Sequence, residues 1–466
     1  MSVRRRGATV GGARASEGLR GPFAAGTRAV PERSAGRAGR GRVAPRLPPL
    51  PPVWRGAGRL HSMNIAITGG FVVPVDGEPI DGGTVLIQDG KIVAVAADAE
   101  VTVPAGVTTV DAGGAWVLPG FVEAHGHLGV HEEAEGWAGQ DTNEMTDPNG
   151  ARLRALDAIN PADLGFADAL SGGVTTAVIK PGSGNPIGGQ TVAVKCWGRT
   201  VDDMLVREPV SVKSALGENP KRVYGDQKKL PSTRQGVAAV IRDAFTRAQD
   251  YKAKREHAAA EGKPFDRDGT LEVLVRVLDG ELPWCQHTHR ADDIATALRL
   301  ADEFGYRLVI NHGTEGHLIA DALAERNIPV IIGPLLTSRS KVELRQRSLR
   351  NPGILARAGV ELAITTDHPV VPIHFLVHQA TLAVKEGLDP TAALRSITLN
   401  PARIMGLDDR VGALKPGLDG DVVIWSGDPL DIMSRALRVF VEGREVYSFS
   451  VDKGEGEVAD PYYREA

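Results

Sequence analysis

Cysteine is almost missing from this chain, which holds only Cys196 and Cys285 among 466 residues. Two thiols exclude a disulfide framework, and each falls in a strand-like apolar run, so both read as core residues rather than ligands. There is no CxxC pair and no nucleophile elbow with Ser, His and Asp in order, which leaves little for covalent nucleophilic catalysis. No apolar run approaches the roughly 20 residues of a membrane span, and no secretory h-region precedes a cleavage-like site. The expected location is the cytoplasm, with no membrane partner. A dominant charge is lacking too: the formal net charge is -4, which exerts no overall pull toward nucleic acid.

That average hides a split. Residues 1–62 carry 13 arginines against two glutamates, with no lysine or aspartate, so they sum to +11 and leave -15 for the rest. They are rich in Arg, Gly, Ala and Pro and show neither helical nor strand periodicity, which predicts a disordered extension. An in-frame Met63 follows and patterned sequence begins just after it. The working protein is therefore expected to start near Met63 with the upstream part dispensable. A basic arm for phosphates and an organelle-targeting peptide are the alternatives for that part.

Residues 64–117 alternate short apolar runs with Gly and Asp turns (NIAITGG, TVLIQDG, KIVAVAAD, VTTVDAGG), the pattern of antiparallel strands. The stretch 409–448 resumes it, so both chain ends are expected to build one small β-sandwich domain, with 449–466 as a C-terminal tail. Between them, over 118–408, lie eight strand candidates: GFVEAH, TTAVIK, TVAVKC, PVSVKSAL, LPWCQHTH, RLVINHG, IPVIIG and VELAITTD. Helical stretches separate most of them, at 151–171, 232–262, 291–304, 315–327 and 341–358, with 375–386 and 390–398 after the last. Apolar strands joined by helices belong to parallel sheets covered by helices, and eight such units fit a closed barrel better than an open sheet, which would give a similar string. The fold class is α/β, a (β/α)8 TIM barrel with the small sandwich attached. In the segment 232–262, Ser232 or Thr233 caps a helix whose buried stripe is Val237, Ile241, Phe245, Ala248 and Tyr251.

A packed strand should end without committing ionisable groups to the interior, and five of these do otherwise. The first ends in His125 and His127, the fifth in His287 and His289, the sixth in His312 and the eighth in Asp367. The fourth contains Lys213, with Glu218 just beyond. In a barrel these ends converge on one rim. Imidazoles and carboxylates together are what a borderline divalent ion such as Zn²⁺ accepts, and an ion offsets a desolvation cost each would otherwise bear alone.

On LPGFVEAHGH, GGVTTAV, HTHRADDIATAL, INHGTEG, AITTDHP and LNPARIMGLDDRVGALKPGLDGDVVIWSGDP the chain resembles the amidohydrolase superfamily of metal-dependent hydrolases, in its imidazolonepropionase-like and prolidase-like branch. The likeness spans about 64–448 and not the first 62 residues. It implies that His125 and His127 bind the more buried metal, and that His287 and His312 bind a second metal or complete a single site. Asp367 would bind metal and handle the proton, while His289 would lie beside the metal. The strand-four ligand is Lys213, N-carboxylated and favoured slightly, or Glu218, so the cofactor is one or two Zn²⁺ or similar ions.

The implied reaction is hydrolysis of an amide-like C–N bond, peptide-like or cyclic, in a small molecule. Asp367 accepts the proton of a metal-activated water and passes it to the leaving nitrogen; His289 or His368 serves the oxyanion. Lys180, which opens the glycine-rich KPGSGNPIGGQ, and Arg339 with Lys341, in GPLLTSRSKVE, are weaker candidates for binding substrate. The KPGSGNPIGGQ stretch reads equally as a structural turn or a substrate-lining loop, and lacks the GKS or GKT ending of a phosphate loop. A deaminase or deacetylase on the same barrel is the alternative, although HTHRADD offers only aspartates where a deaminase needs a glutamate. A non-catalytic barrel scaffold is the other. The expected partners are a small-molecule substrate and, at this size, copies of the same chain in a homo-oligomer.

Overall fold

The computed structural model describes residues 64–462, so the extension expected over 1–62 lies outside the described residues. All eight apolar runs become strands. They are β1 (Phe121–Gly126), β2 (Val174–Ile179), β3 (Ile187–Gln190 continued by Val192–Lys195), β4 (Val212–Ala215), β5 (Trp284–Thr288), β6 (Leu308–His312), β7 (Val330–Ile332) and β8 (Leu362–Ile364). Every residue in them is buried, which is why their sequences run apolar instead of alternating.

Neighbours β1 and β2 run parallel, as do β4 through β8. β3 is reversed, pairing antiparallel with β2 on one side and β4 on the other. A parallel return would need a crossover of about a dozen residues or more, and the short stretch 180–186 contains none. The ring closes between β8 and β1 without a ladder. There the Thr365 hydroxyl donates to the carbonyl of His125 at 2.7 Å, and the carbonyls of Ser396 and Ile397 accept from Ile364 and Val122.

Inside the ring, Val122, Ala124, Val178, Ala193, Cys285, Val309, Ile331 and Ala363 pack together, and Ala402, Ile404, Met405, Leu407 and Val411 plug one end. Both cysteines are buried and unbridged. The opposite end, where β1, β2 and β4–β8 terminate, carries the polar groups.

Helices cover the outside within most of the expected segments. Arg234–Ala260 is capped by the Thr233 hydroxyl, which accepts from Gly236 N at 3.0 Å, and it buries Val237, Ile241, Phe245, Ala248 and Tyr251. The helix Gly269–Leu278 was not expected. Its start is fixed by the Asp268 carboxylate accepting from Thr270 N and Leu271 N, and it packs on the long helix before it. Among the described residues no helix is long and apolar enough to cross a membrane.

The first and last strands of the described residues meet in one sheet. The N-terminal strands Ile65–Val72, Ile80–Gln88, Lys91–Ala97, Thr108–Asp111 and Trp116–Pro119 join the C-terminal strands Val422–Trp425, Ala436–Val441, Arg444–Ser450 and Glu455–Val458. The seam is the antiparallel pairing of Trp116–Pro119 with Val422–Trp425. One cluster, including Ile65, Ile67, Val85, Ile87, Val117, Val422, Ile424 and Phe440, fills it. Within the stretch expected as a tail, the strand Glu455–Val458 pairs antiparallel with Arg444–Ser450.

Candidate metal centre

Regular alternation would not assemble this site; three local departures do. Val122 and Ala124 face the ring interior, so strict alternation would send His125 and His127 outward. Between Glu123 and Gly126, however, β1 takes three steps where β2 takes two, from Ala177 to Ile179. That bulge re-aims the following side chains. On β6, Val309 faces inward and the Asn311 amide accepts from Lys180 inside the ring, so His312 would point away. Its φ of 75° reverses the sense, and Asp367 beyond β8 has a φ of 54°. Left-handed backbone is costly for side-chain-bearing residues and concentrates at functional sites. On β5 no such device is needed, because Cys285, His287 and His289 share one face.

Two groups of ligand atoms result. Those of His125, His127 and Asp367 lie within 4.8 Å of one another, and so do those of His287, His289 and His312. The Asp367 Oδ1 oxygen is 2.9 Å from His125 Nε2 and 3.3 Å from His127 Nε2. The groups adjoin, with ring centroids 5.0 Å apart for His125 and His312.

The contacts behind the imidazoles decide which nitrogen is free. His127 Nδ1 donates to the carbonyl of Lys180 at 2.7 Å, and His312 Nδ1 to that of Gly333 at 2.8 Å. A carbonyl cannot donate, so in the neutral rings Nε2 bears the lone pair. Burial holds His125, His287 and His289 well below the usual imidazole range, and His312 at about 4, which keeps the rings neutral. His287 Nε2 and His312 Nε2 are buried with no hydrogen-bond partner, at a cost of about 1–3 kcal/mol each. His127 Nε2 faces the Asp367 carboxylate. A divalent cation satisfies all of these atoms at once, so the residues fit one.

A family model described as the Amidohydrolase family matches residues 116–459. The chain belongs to the amidohydrolase family. An amidohydrolase of known structure from Thermotoga maritima is 45% identical and aligns with a TM-score of 0.80, covering 82% of this chain and 99% of its own. The imidazolonepropionase of Mesorhizobium japonicum is 25% identical over 399 residues, 80% of this chain and 91% of its own length. Amidohydrolase tasK of Hapsidospora irregularis is 29% identical over 386 residues, 78% of this chain, which spans only 39% of that relative. Several further imidazolonepropionases match at similar levels, in keeping with the imidazolonepropionase-like and prolidase-like branch. The family and the paired ligand groups together make this amidohydrolase a metal-dependent enzyme that uses a metal-activated water to hydrolyse an amide-like C–N bond.

The remaining sequence candidates scatter. Lys213 is fully buried on β4, its Nζ donating to the Ser183 hydroxyl at 2.7 Å, and burial pushes its pKa down to about 7. Glu218 begins the helix Glu218–Asp226, and its carboxylate is in neither ligand group. His289, expected beside the metal, lies in the same group as His287 and His312. Three further candidates make their contacts elsewhere. Lys180 is fully buried and its amine reaches Asn311 Oδ1 at 3.4 Å and Met405 Sδ at 4.0 Å, down inside the ring and not at the mouth. Arg339 donates to the carbonyls of Arg345 and Arg347 and so braces its own loop. His368, next to Asp367, points away: its Nδ1 accepts from Ile373 N at 3.2 Å and its Nε2 is 3.7 Å from Glu133. Lys341 is mostly buried, 3.2 Å from Asn219 Oδ1, and its charge acts on His287, His289 and His312.

Sequence reasoning missed Glu123. Its carboxylate accepts from His125 N at 3.1 Å, Thr366 N at 2.9 Å and the Thr366 hydroxyl at 2.6 Å. It thus fixes the bulge of β1 against the turn that carries Asp367. The available signal was an acid inside the apolar run GFVEAH.

Proposed function

We propose that this amidohydrolase holds two Zn²⁺ or similar ions and cleaves a peptide-like or cyclic amide in a small molecule bearing an anionic group. The observation that carries the reading is the pair of adjoining ligand groups with buried, unpartnered Nε2 atoms. His125, His127 and Asp367 would hold one ion, and His287 and His312 the other. Lys213 is favoured over Glu218 as the shared strand-four ligand. Its depressed pKa leaves much of the amine neutral and nucleophilic near pH 7, which N-carboxylation requires, whereas Glu218 serves a helix start.

When bound, the ions supply Lewis acidity that acidifies water and polarises the scissile carbonyl. The chain does the rest. Asp367 takes the proton of the attacking water and returns it to the leaving nitrogen. His289, steadied by the Thr314 hydroxyl 2.8 Å from its Nδ1, presents Nε2 toward the reacting carbonyl. Lys341 is the cation placed to receive the substrate's anionic group. The enzyme acts in the cytoplasm, and as a homo-oligomer.

Elemental analysis combined with a panel of dipeptides, N-acyl amino acids and cyclic amides tests this. Two equivalents of transition metal and turnover of one of these classes are expected, with Asp367→Asn lowering kcat by about 10²–10⁴-fold. Metal-free protein after metal-replete expression, or an Asp367→Asn enzyme with undiminished turnover, would defeat the reading.

A further inference from the structure

The histidines of the second ligand group are not held alike. His312 Nδ1 meets a carbonyl, which admits one tautomer only. His287 Nδ1 instead lies 2.8 Å from the hydroxyl of Ser183, the same oxygen that Lys213 Nζ reaches at 2.7 Å. A hydroxyl donates or accepts. Were Ser183 to donate to His287 Nδ1, the ring proton would sit on Nε2, which is buried without an acceptor. With Lys213 N–H and His287 Nδ1–H both donating into its lone pairs, Nε2 is left bare.

The loop presenting this hydroxyl is tightly built. Gly182 N donates to Thr142 O at 2.7 Å, Gly184 N to Asn143 Oδ1 at 2.7 Å, and Asn185 Nδ2 to Glu144 O at 2.6 Å. Tyr224 donates to Asn185 Oδ1 at 2.8 Å. A Cβ at Gly182 would come within 2.4 Å of the Asn143 side chain, so the approach needs glycine there.

We infer that Ser183 is a positioning residue for the metal centre, one oxygen that sets the tautomer of His287 and the place of the Lys213 amine together. The loop after β2 thereby acts most strongly on the ion site on β4–β6, where it holds both His287 and Lys213, and less on the site on β1, which it reaches only through the shared Lys213. This rests on His287 being a ligand, as proposed above.

The test is calorimetric titration of chelator-stripped protein with Zn²⁺, beside its thermal melting. Wild-type protein is expected to show two classes of site. Ser183→Ala should weaken one class by about 10–100-fold, affect the other distinctly less, and melt like wild type when stripped; Ser183→Thr, which restores the hydroxyl, should recover the lost affinity. A Ser183→Ala titration that matches wild type overturns the assignment, as does loss in Ser183→Thr equal to that in Ser183→Ala. Should Ser183→Ala not fold, Asn143→Ala, which frees the loop and keeps the hydroxyl, must show the same selective weakening, and a wild-type curve from it overturns the assignment. Wild-type protein that takes up no Zn²⁺ would defeat the metal reading itself.

Discussion

Single side chains carry most of the chemistry here, and their neighbours decide what each can do. Glu123 is fully buried, and burial pushes its carboxyl upward against the pull of its hydrogen bonds. Glu123→Ala would strand the amides of His125 and Thr366, at about 1–3 kcal/mol each. The expected result is a clear drop in denaturation midpoint together with weaker Zn²⁺ uptake; an unchanged midpoint would mean water replaces the carboxylate. At the mouth, Lys341→Met should raise KM at least tenfold for free-acid substrates and leave their carboxamides unaffected, which paired kinetics on acid and amide would show. The histidine pairs were legible because two imidazoles at the end of an apolar run have no packing rationale. Arg339 and Lys341 were not separable by sequence. They lie two positions apart in a loop whose course is set by backbone contacts, and only one of the two turns inward.

Elements supply the reasons the ligands converge, and here the sequence was legible in part. Eight buried strands announced themselves by apolar runs, yet the bulge in β1 and the left-handed turn at His312 leave no compositional trace. The reversal of β3 did leave one, since 180–186 is too short for a crossover. The helix Gly269–Leu278 went unread because GTLEVLVRVL is apolar on most sides and resembles a strand. Gly333 shows how narrow the tolerances are. Its φ is 145°, a Cβ would lie 2.2 Å from the carbonyl oxygen of Thr365, and its own carbonyl holds His312. Gly333→Ala should therefore shift β7 from β8 and cost more than about 2 kcal/mol, with loss of Zn²⁺ at the second ligand group. Metal content and melting measured on one preparation would check both, and a metal content equal to that of wild type would refute the coupling.

For the molecule as a whole, one ionic knot ties sheet to barrel at the end remote from the metal. Lys195 on β3 sits 2.8 Å from both Asp419 and Asp421, and Arg410 and Lys91 also grip Asp419. Burial would raise the Asp419 carboxyl, but the Lys195 charge and the hydrogen bonds of Arg410, Lys195 and Lys91 outweigh it and hold it far below its ordinary 3.8. A carboxyl depressed in the folded state contributes stability that is complete above its unfolded pKa and fades as pH falls below it. Denaturation midpoints should accordingly decline below about pH 4. Asp419→Asn should cost about 3–5 kcal/mol at neutral pH, because it leaves buried cations uncompensated, and should flatten that acid limb. Parallel acid limbs in mutant and wild type would show that other carboxylates govern it.

The seam between Trp116–Pro119 and Val422–Trp425 also sets a timetable for synthesis. While the ribosome is still making the barrel, the opening strands wait with one border unzipped, and they are sealed only when the last segments emerge. Such an unsealed border is adhesive toward other polypeptides. Stalled or prematurely terminated translation products lacking the closing segments should therefore be prone to clump and to recruit holdase chaperones.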